Sequence, residues 1–369
     1  MTTPQTARDI AMKGAGYYSK ATTGAKDVID GAAHLVLAAA AALPLADGDA
    51  TPITVADMGC ADGGTSIEMI GAVVRALRDR APGRPIQLVY TDLPRNDFSQ
   101  VFQNAHGLTD LPSPLRDIPG LYILASGTSF HQAIFPPETL HLGFSATASH
   151  YISERPCPIP GHVHMVGAAG EERAAYEAQG ARDWEAILTR RAEELVPGGR
   201  LALFNFGIDE EGRYLGHTGG VSMFDTFNEI WAGFAARGII THAEYRDTNF
   251  AQCYRTVAQF RAPLEDAGSP VHRAGLRLEH VETRVVRCPY ARAFAGHGDA
   301  ERFAREYIPT LRSWSEHTFA AGLSPERPLD ERVSILDRTF DAYEERVRTD
   351  PDGHAMDYVH IYLVCSKVG

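Results

Sequence analysis

One stretch constrains this chain more than any other: Ile53 to Ser66, ITVADMGCADGGTS. Its opening residues, Ile53, Thr54 and Val55, are β-branched and suit a buried strand. Asp57 falls where that strand should end, and Gly59, Gly63 and Gly64 follow. Glycines at such a turn allow positive φ and let a ligand reach the main chain with no Cβ in the way. Thr65 or Ser66 can cap a helix starting nearby, whose first N–H groups point at whatever is bound. The pattern describes a strand, a nucleoside-binding turn and a helix. A glycine turn beside an acid also occurs as plain punctuation between strand and helix, so a second acid after the next strand is required. Ile86 to Asp92, IQLVYTD, supplies it.

The glycine spacing bears on which nucleoside is bound. A dinucleotide turn has Gly-x-Gly-x-x-Gly, whereas here three residues separate Gly59 from Gly63-Gly64. The strand-end acid with looser glycines resembles the first motif of class I S-adenosylmethionine methyltransferases.

The formal net charge of −12 and the lack of a Lys/Arg run argue against a nucleic-acid partner. Five scattered cysteines (Cys60, Cys157, Cys253, Cys288 and Cys365) form no C-x-x-C pair. They suit a reducing compartment and suggest neither zinc nor a disulfide framework. His162 and His164 are the closest histidine pair, in a Pro/Gly loop without a third ligand, and read as solvent-exposed or structural. The N-terminus lacks a signal-peptide plan, and the apolar run around Ala32 to Ala46 is too short for a membrane span. The expectation is a cytoplasmic protein with no metal and no membrane partner.

In chain order, helices are expected over Lys26–Leu43, Thr65–Arg80 and Glu172–Leu195, the last closed by Pro197-Gly198-Gly199. Strands are expected from Ile53 to an end at Asp57, and at Ile86–Thr91, Leu121–Ala125, Leu140–Ala146 and Leu201–Phe206. This alternation describes an α/β fold with a parallel, doubly wound sheet. The second half is mostly helical over Ser222–Phe260 and Ala300–Val347, with strands at Leu276–Val286 and Tyr358–Val364. The organisation expected is an N-terminal lid segment and helix (1–50) and an α/β core (51–221). A helical cap (222–275 and 289–355) and two closing strands (276–288 and 356–369) follow, as in a class I methyltransferase with a Rossmann-like sheet, its last strand antiparallel.

Several blocks together resemble the SABATH methyltransferases, which include salicylate, benzoate and jasmonate carboxyl methyltransferases and caffeine-pathway N-methyltransferases. TDLPRNDFSQVF (Thr91–Phe102) is similar to the family's N-D-L-P-x-N-D-F. GTSFHQAIFPPETLHLGFSATASHYIS (Gly127–Ser153) is similar to its G-S-F-Y-x-x-L-F-P, S-L-H and H-S-S-Y-S-x-x-W-L-S blocks, and EELVPGGRLAL (Glu193–Leu203) also fits. The second half matches in general plan alone.

The resemblance implies S-adenosylmethionine as donor, S-adenosylhomocysteine as product, and a homodimer. It places Asp57, Gly59 and Asp92 around the donor, with Asp92 accepting from both ribose hydroxyls. Leu93 would pack on adenine, and Ser129 and Phe130 would close around the ring. Tyr18 and Thr22 match the Tyr and Ser of the family's S-Y-A-x-N-S, and Thr65 stands where Asn is usual. On the acceptor side the family's carboxylate clamp is a Gln and a Trp. Here those positions are Ala25 and Tyr151, with Lys26 adjacent. Thr147 and His150 share the Tyr151 wall, and Met223 with Phe224 would line the far side.

A carboxylate acceptor is ionised at neutral pH, so it needs alignment and no base. A phenol or ring nitrogen must lose a proton, and His150 is then the candidate base, with Tyr151 beside it. The resemblance implies methylation of a small, aromatic carboxylic acid. The alternatives are N- or phenolic O-methylation with His150 active, and a non-catalytic S-adenosylmethionine-binding protein.

Overall fold

The structure is a computed structural model that describes residues 23–46 and 48–368. Five parallel strands form its centre: β1 (Ile53–Met58), β2 (Ile86–Thr91), β3 (Leu121–Ser126), β4 (Leu140–Ala146) and β5 (Leu195–Ile208). The two-residue β6 (Arg255–Thr256) pairs with the end of β5. β7 (Leu276–Val286) and β8 (Tyr358–Lys367) close the sheet, with β8 antiparallel to both β5 and β7. The order across it is β3-β2-β1-β4-β5-β8-β7. The chain reverses its direction of travel between β1 and β4, and open α/β sheets bind ligands beyond the strand ends at such a switch point.

Alternate residues of the central strands feed two cores, as a period of two requires. Val55, Ala202, Phe204, Phe206 and Tyr362 face one; Ala56, Leu201, Leu203, Ile361 and Leu363 face the other. On the first face lie α1 (Thr23–Ala41) and α2 (Ile67–Arg80). The second face is covered by α4 (Gly170–Glu194), α7 (Val257–Glu265) and α8 (Pro270–Arg273), through Trp184, Phe260, Leu264 and Val271. The short α3 (Phe98–Ala105) sits between β2 and β3.

The remaining second-half helices are α5 (Met223–Ala236), α6 (His242–Asp247), α9 (Pro289–His297), α10 (Ala300–Gly322) and α11 (Leu329–Thr349). Aromatic rings from α5, α10 and α11 interlock: Phe227 lies 5.3 Å from Phe319 and 5.0 Å from Tyr343, and Trp231 lies 5.0 Å from Phe319. Each such ring buries a large area, so this layer is held by apolar burial continuous with the first-face core. No helix of the described residues is long and apolar enough to cross a membrane.

Several element limits differ from the sequence reading for physical reasons. α1 already includes Thr23 to Ala25, ahead of the expected Lys26, and Gly24 packs on the Tyr358 ring; a Cβ there would come within 2.3 Å of it. α2 begins at Ile67, and the Ser66 hydroxyl donates to Asp57 instead of capping the helix. Pro197-Gly198-Gly199 does not close α4, which ends at Glu194. It lies inside β5, where the register against β4 shifts between Leu140 and Leu142 and Gly198 takes a positive φ.

Candidate active site

The turn after β1 is shaped as a cradle. Gly59 has φ +79, and a Cβ on it would sit 2.7 Å from the Ala148 side chain, so no other residue fits without displacing the β4 exit. Asp57 is 2% exposed, and its Oδ2 accepts from the Ser66 hydroxyl at 2.5 Å. Burial pushes its carboxyl up to about 7; the Ser66 hydrogen bond pulls against this and the neighbouring Asp92 adds to it. Asp92, after β2, accepts from the Ala61 N–H at Oδ2 (2.8 Å) and the Leu93 N–H at Oδ1 (2.7 Å). Burial raises its carboxyl too, opposed by those two amides. Each oxygen keeps a second lone pair. Asp57, Gly59, Cys60, Ala61, Thr65 and Ser66 line a cavity that reaches Ala146 and Thr147.

A second cavity adjoins the first through Thr147. Its walls come from distant parts of the chain: Ala25 on α1, Thr147, His150 and Tyr151 after β4, and Phe206 and Leu215 at and after β5. Gln252 and Tyr254 precede β6, Trp314 lies on α10, and Met356 and Tyr358 enter β8. The His150–Tyr151 wall is fixed from behind. Fully buried Arg255 donates to the Ser149 and Gly180 carbonyls (2.8 and 2.7 Å), and the Ser149 hydroxyl donates to Asn205 Oδ1 at 2.5 Å.

Thr147 is at φ +55, a left-handed conformation that a β-branched residue rarely adopts. Its N–H donates to Phe204 O at 2.8 Å, which holds that geometry where the two cavities meet.

His150 is 4% exposed, and its ring packs against Tyr151 (4.2 Å between centroids) and edge-on to Phe206 (5.0 Å). Its Nδ1 has no hydrogen-bond partner among the described residues. Burial, then the charges it meets at His360 and Arg255, bring its pKa down to about 3. The ring is therefore neutral at physiological pH and a weak proton acceptor.

The structure gathers Asp57, Gly59 and Thr65 at the first cavity, Ala25, His150 and Tyr151 at the second, and Thr147 at both. Asp92 stands beside the first cavity through its bond to Ala61. Leu93, Ser129 and Phe130 lie outside its lining. Ser129 Oγ accepts from the His131 N–H at 3.4 Å, and Phe130 is half-buried against the Trp184 side of the sheet. Tyr18 and Thr22 lie outside the described residues.

Two expectations are corrected, and a third is narrowed. Lys26 does not reach the acceptor cavity: its Nζ pairs with Asp30 at 2.6 Å, one helical turn on, at the surface. Met223 and Phe224 are fully buried and stand behind the cavity wall; Phe224 stacks on His164 at 3.9 Å and 14°. Of the two readings of His162 and His164, solvent-exposed or structural, the second holds, with exposures of 7% and 0%. His162 Nε2 lies 3.0 Å from Asp225 Oδ1, which makes the pair structural.

Phe206, Leu215, Gln252, Tyr254, Trp314, Met356 and Tyr358 went unread as site residues. Phe206 and Tyr358 sit in strands and look like ordinary core in sequence. The others carry no local pattern.

A buried acid, a half-buried one and a glycine cradle beyond the parallel strands suit a cationic nucleoside donor, and an aromatic cavity adjoins them. Together they define a class I S-adenosylmethionine-dependent methyltransferase. The sequence matches the family described as SAM dependent carboxyl methyltransferase over residues 8–368, and the chain belongs to that family, the SABATH methyltransferases. The O-methyltransferase acrG of Aspergillus aculeatus is 28% identical over 384 residues, covering 98% of both chains. Gibberellic acid methyltransferase 2 of Arabidopsis thaliana is 29% identical over 175 residues, 43% of this chain and 44% of its own. In architecture, a loganic acid methyltransferase solved with S-adenosylhomocysteine superposes with a TM-score of 0.76 at 20% identity, covering 98% of this chain and 99% of that one.

Proposed function

We propose that this enzyme esterifies the carboxylate of a small acid with a flat or rigid apolar body. The observation that carries this is His150: the one titratable ring nitrogen placed by the sequence at the acceptor is buried, neutral and held near pKa 3. A carboxylate of pKa roughly 4 arrives ionised and needs no base, so such a histidine costs it nothing. A phenol or ring nitrogen would need a proton acceptor that His150 does not provide.

Bound S-adenosylmethionine supplies a methyl group made electrophilic by its positively charged sulfur. Asp57 and Asp92 would hold its cationic and hydroxyl-bearing parts at the β1 and β2 ends. Thr147 sets the passage between donor and acceptor, and the rings of Tyr151, Phe206, Tyr254, Trp314 and Tyr358 exclude water around the acceptor. Aligned, desolvated reactants can gain up to about 7–11 kcal/mol over free encounter, so positioning alone is a sufficient mechanism. Two relatives carry names that specify acids, gibberellic and loganic, which supports the same acceptor class. The aromatic walls favour an aromatic acid among them. The reading extends to a cytoplasmic homodimer, supported by five unpaired cysteines for the compartment and by family analogy for the assembly.

The test is incubation with labelled S-adenosylmethionine and benzoate, indole-3-acetate, hexanoate and the matching phenols and heterocycles. Extractable methyl ester from an acid is expected. Transfer to phenols or ring nitrogens alone, or to nothing, would overturn the reading.

A further inference from the structure

We infer that Gln252 supplies the amide donor to the acceptor carboxylate, opposite Tyr151, in the place left open by Ala25. The inference rests on the carboxylate reading above. Residues 251–253 run antiparallel to 150–152: the Cys253 N–H donates to His150 O at 2.8 Å and the Ile152 N–H to Ala251 O at 3.0 Å. Tyr151 and Gln252 are thus a directly opposed pair between two ladder bonds, the arrangement that brings two side chains closest on one face. Both line the acceptor cavity.

The orientation of the Gln252 amide follows from its neighbour. His164 Nδ1 accepts from the Val166 N–H at 3.2 Å, so that nitrogen carries no proton. The ring is fully buried, and burial holds it neutral. Its proton is therefore on Nε2, which lies 3.2 Å from Gln252 Oε1 and donates to it. The amide oxygen is committed to His164, and the NH2 group is left for the cavity. Gln252 is 1% exposed, and its contacts with His164 and the Tyr254 hydroxyl both fall on Oε1. A buried donor pair aimed into an apolar cavity is satisfied by an acceptor that the ligand brings.

Ala25 offers no donor from the other wall, being a methyl group 3% exposed at the start of α1. The carboxylate is thus held from the β4–β6 side by Gln252 and Tyr151, not across the cavity from α1. Its second oxygen is then turned towards Thr147 and the donor cavity. His164 acts as a positioning residue: it sets which end of the amide the acid meets.

Steady-state kinetics with the best acid of the panel test this, alongside S-adenosylhomocysteine affinity by calorimetry. Gln252→Met should raise KM for the acid roughly ten- to hundred-fold, the loss of one charge-assisted hydrogen bond, with S-adenosylhomocysteine affinity unchanged. Gln252→Glu should raise it further by placing like charges together. His164→Phe should raise KM with less effect on kcat. Ala25→Gln in the Gln252→Met background, returning an amide to the same cavity, should lower KM again. In the unmutated protein with S-adenosylhomocysteine, the Gln252 side-chain amide resonances should move downfield when the acid is added, a readout that needs no variant to fold. Unchanged KM in Gln252→Met, or unmoved resonances, would overturn the assignment to Gln252 while acid turnover stands. Absence of turnover on every acid would instead remove the carboxylate reading and this inference with it.

Discussion

The Ser66 hydroxyl donates to Asp57 at 2.5 Å, tying the end of β1 to the start of α2 and leaving a buried acid at the floor of the donor cavity. Burial holds that acid at about 7 against 3.8 for a free carboxyl. With the folded value raised, the folded state binds more protons than the unfolded state between those pH values. This group's contribution is therefore fully present below pH 3.8 and is lost as pH rises through 7. Its ionisation costs on the order of 4 kcal/mol. Asp57→Asn should stabilise the ligand-free protein at pH 8 by some kcal/mol, with the gain vanishing towards pH 4, in paired denaturant titrations across pH. The same variant should bind S-adenosylmethionine more weakly, since a cation is what makes the ionised acid favourable there. A pH-independent stability difference would contradict this account.

Asp92 closes the other side of the donor site. Its carboxylate takes the N–H groups of Ala61 and Leu93, so it orders the glycine turn as well as offering lone pairs to a ligand. Asp92→Ala should lower S-adenosylhomocysteine affinity at least about a hundredfold, the worth of two hydrogen bonds to a charged group. Asp92→Asn, which keeps one accepting oxygen, should fall between it and the parent. Calorimetric binding equal to the parent in Asp92→Ala would remove this acid from the site.

Thr147 holds a left-handed backbone at the junction of the two cavities, a conformation costing of order 1–3 kcal/mol for such a residue. Asparagine tolerates that region far better. Thr147→Asn should therefore raise stability by about 1 kcal/mol while lowering kcat, because the side chain set between donor and acceptor has changed shape. A loss of stability on this substitution would mean that the threonine side chain offsets its own strain.

Much of the fold was readable because it is locally encoded. β2, β4 and β7 have the expected limits, and β1 runs one residue past the Asp57 end that the sequence suggests. β5 was shortened in the sequence reading because Pro197-Gly198-Gly199 looks like a stop, whereas the strand absorbs it as a register shift. The donor cavity follows the same logic: Asp57, Gly59 and Thr65 fall within nine consecutive residues and meet in space. The acceptor cavity is assembled from Ala25 through Tyr358, and no local pattern marks Gln252 or Trp314 as its walls. Lys26 was misplaced because adjacency in sequence suggested reach, while Asp30 one turn on holds it at the surface. Met223 and Phe224 have the right chemistry for a wall, but α5 turns them into the core behind His164.

His150 offers a direct test of the acceptor chemistry. Its folded pKa of about 3 lies below the ordinary 6.5, so it stays neutral across the working range. With acid as substrate, kcat/KM should show no inflection from a histidine between pH 5.5 and 8. His150→Asn should retain kcat within about tenfold, since general-base roles are worth 10²–10⁴ and this residue has none. A loss of several orders of magnitude with an inflection near neutrality would restore it as a base.

The last prediction concerns a buried ion pair that holds the loop after β3. Arg191 and Glu194 are 0% and 2% exposed, with Nη2 2.6 Å from Oε1 and Nε 2.7 Å from Oε2. Arg191 also donates to the carbonyls of Phe130 (3.0 Å) and Gln132 (2.8 Å), and Glu194 Oε1 accepts from the Ile134 N–H at 2.6 Å. The pair thus straps residues 130–134 to the end of α4 through their own main chain. Removing one partner leaves an uncompensated buried charge and should cost about 3–5 kcal/mol, while replacing both by apolar groups can be far milder. Arg191→Met should therefore destabilise more than Arg191→Met combined with Glu194→Leu in denaturant unfolding. Either variant releases the Phe130 and Gln132 carbonyls, so calorimetry of S-adenosylhomocysteine on the two tests whether the loop that carries Ser129 bears on the donor. A double variant that recovers stability yet binds as the parent does would separate the strap from the donor site.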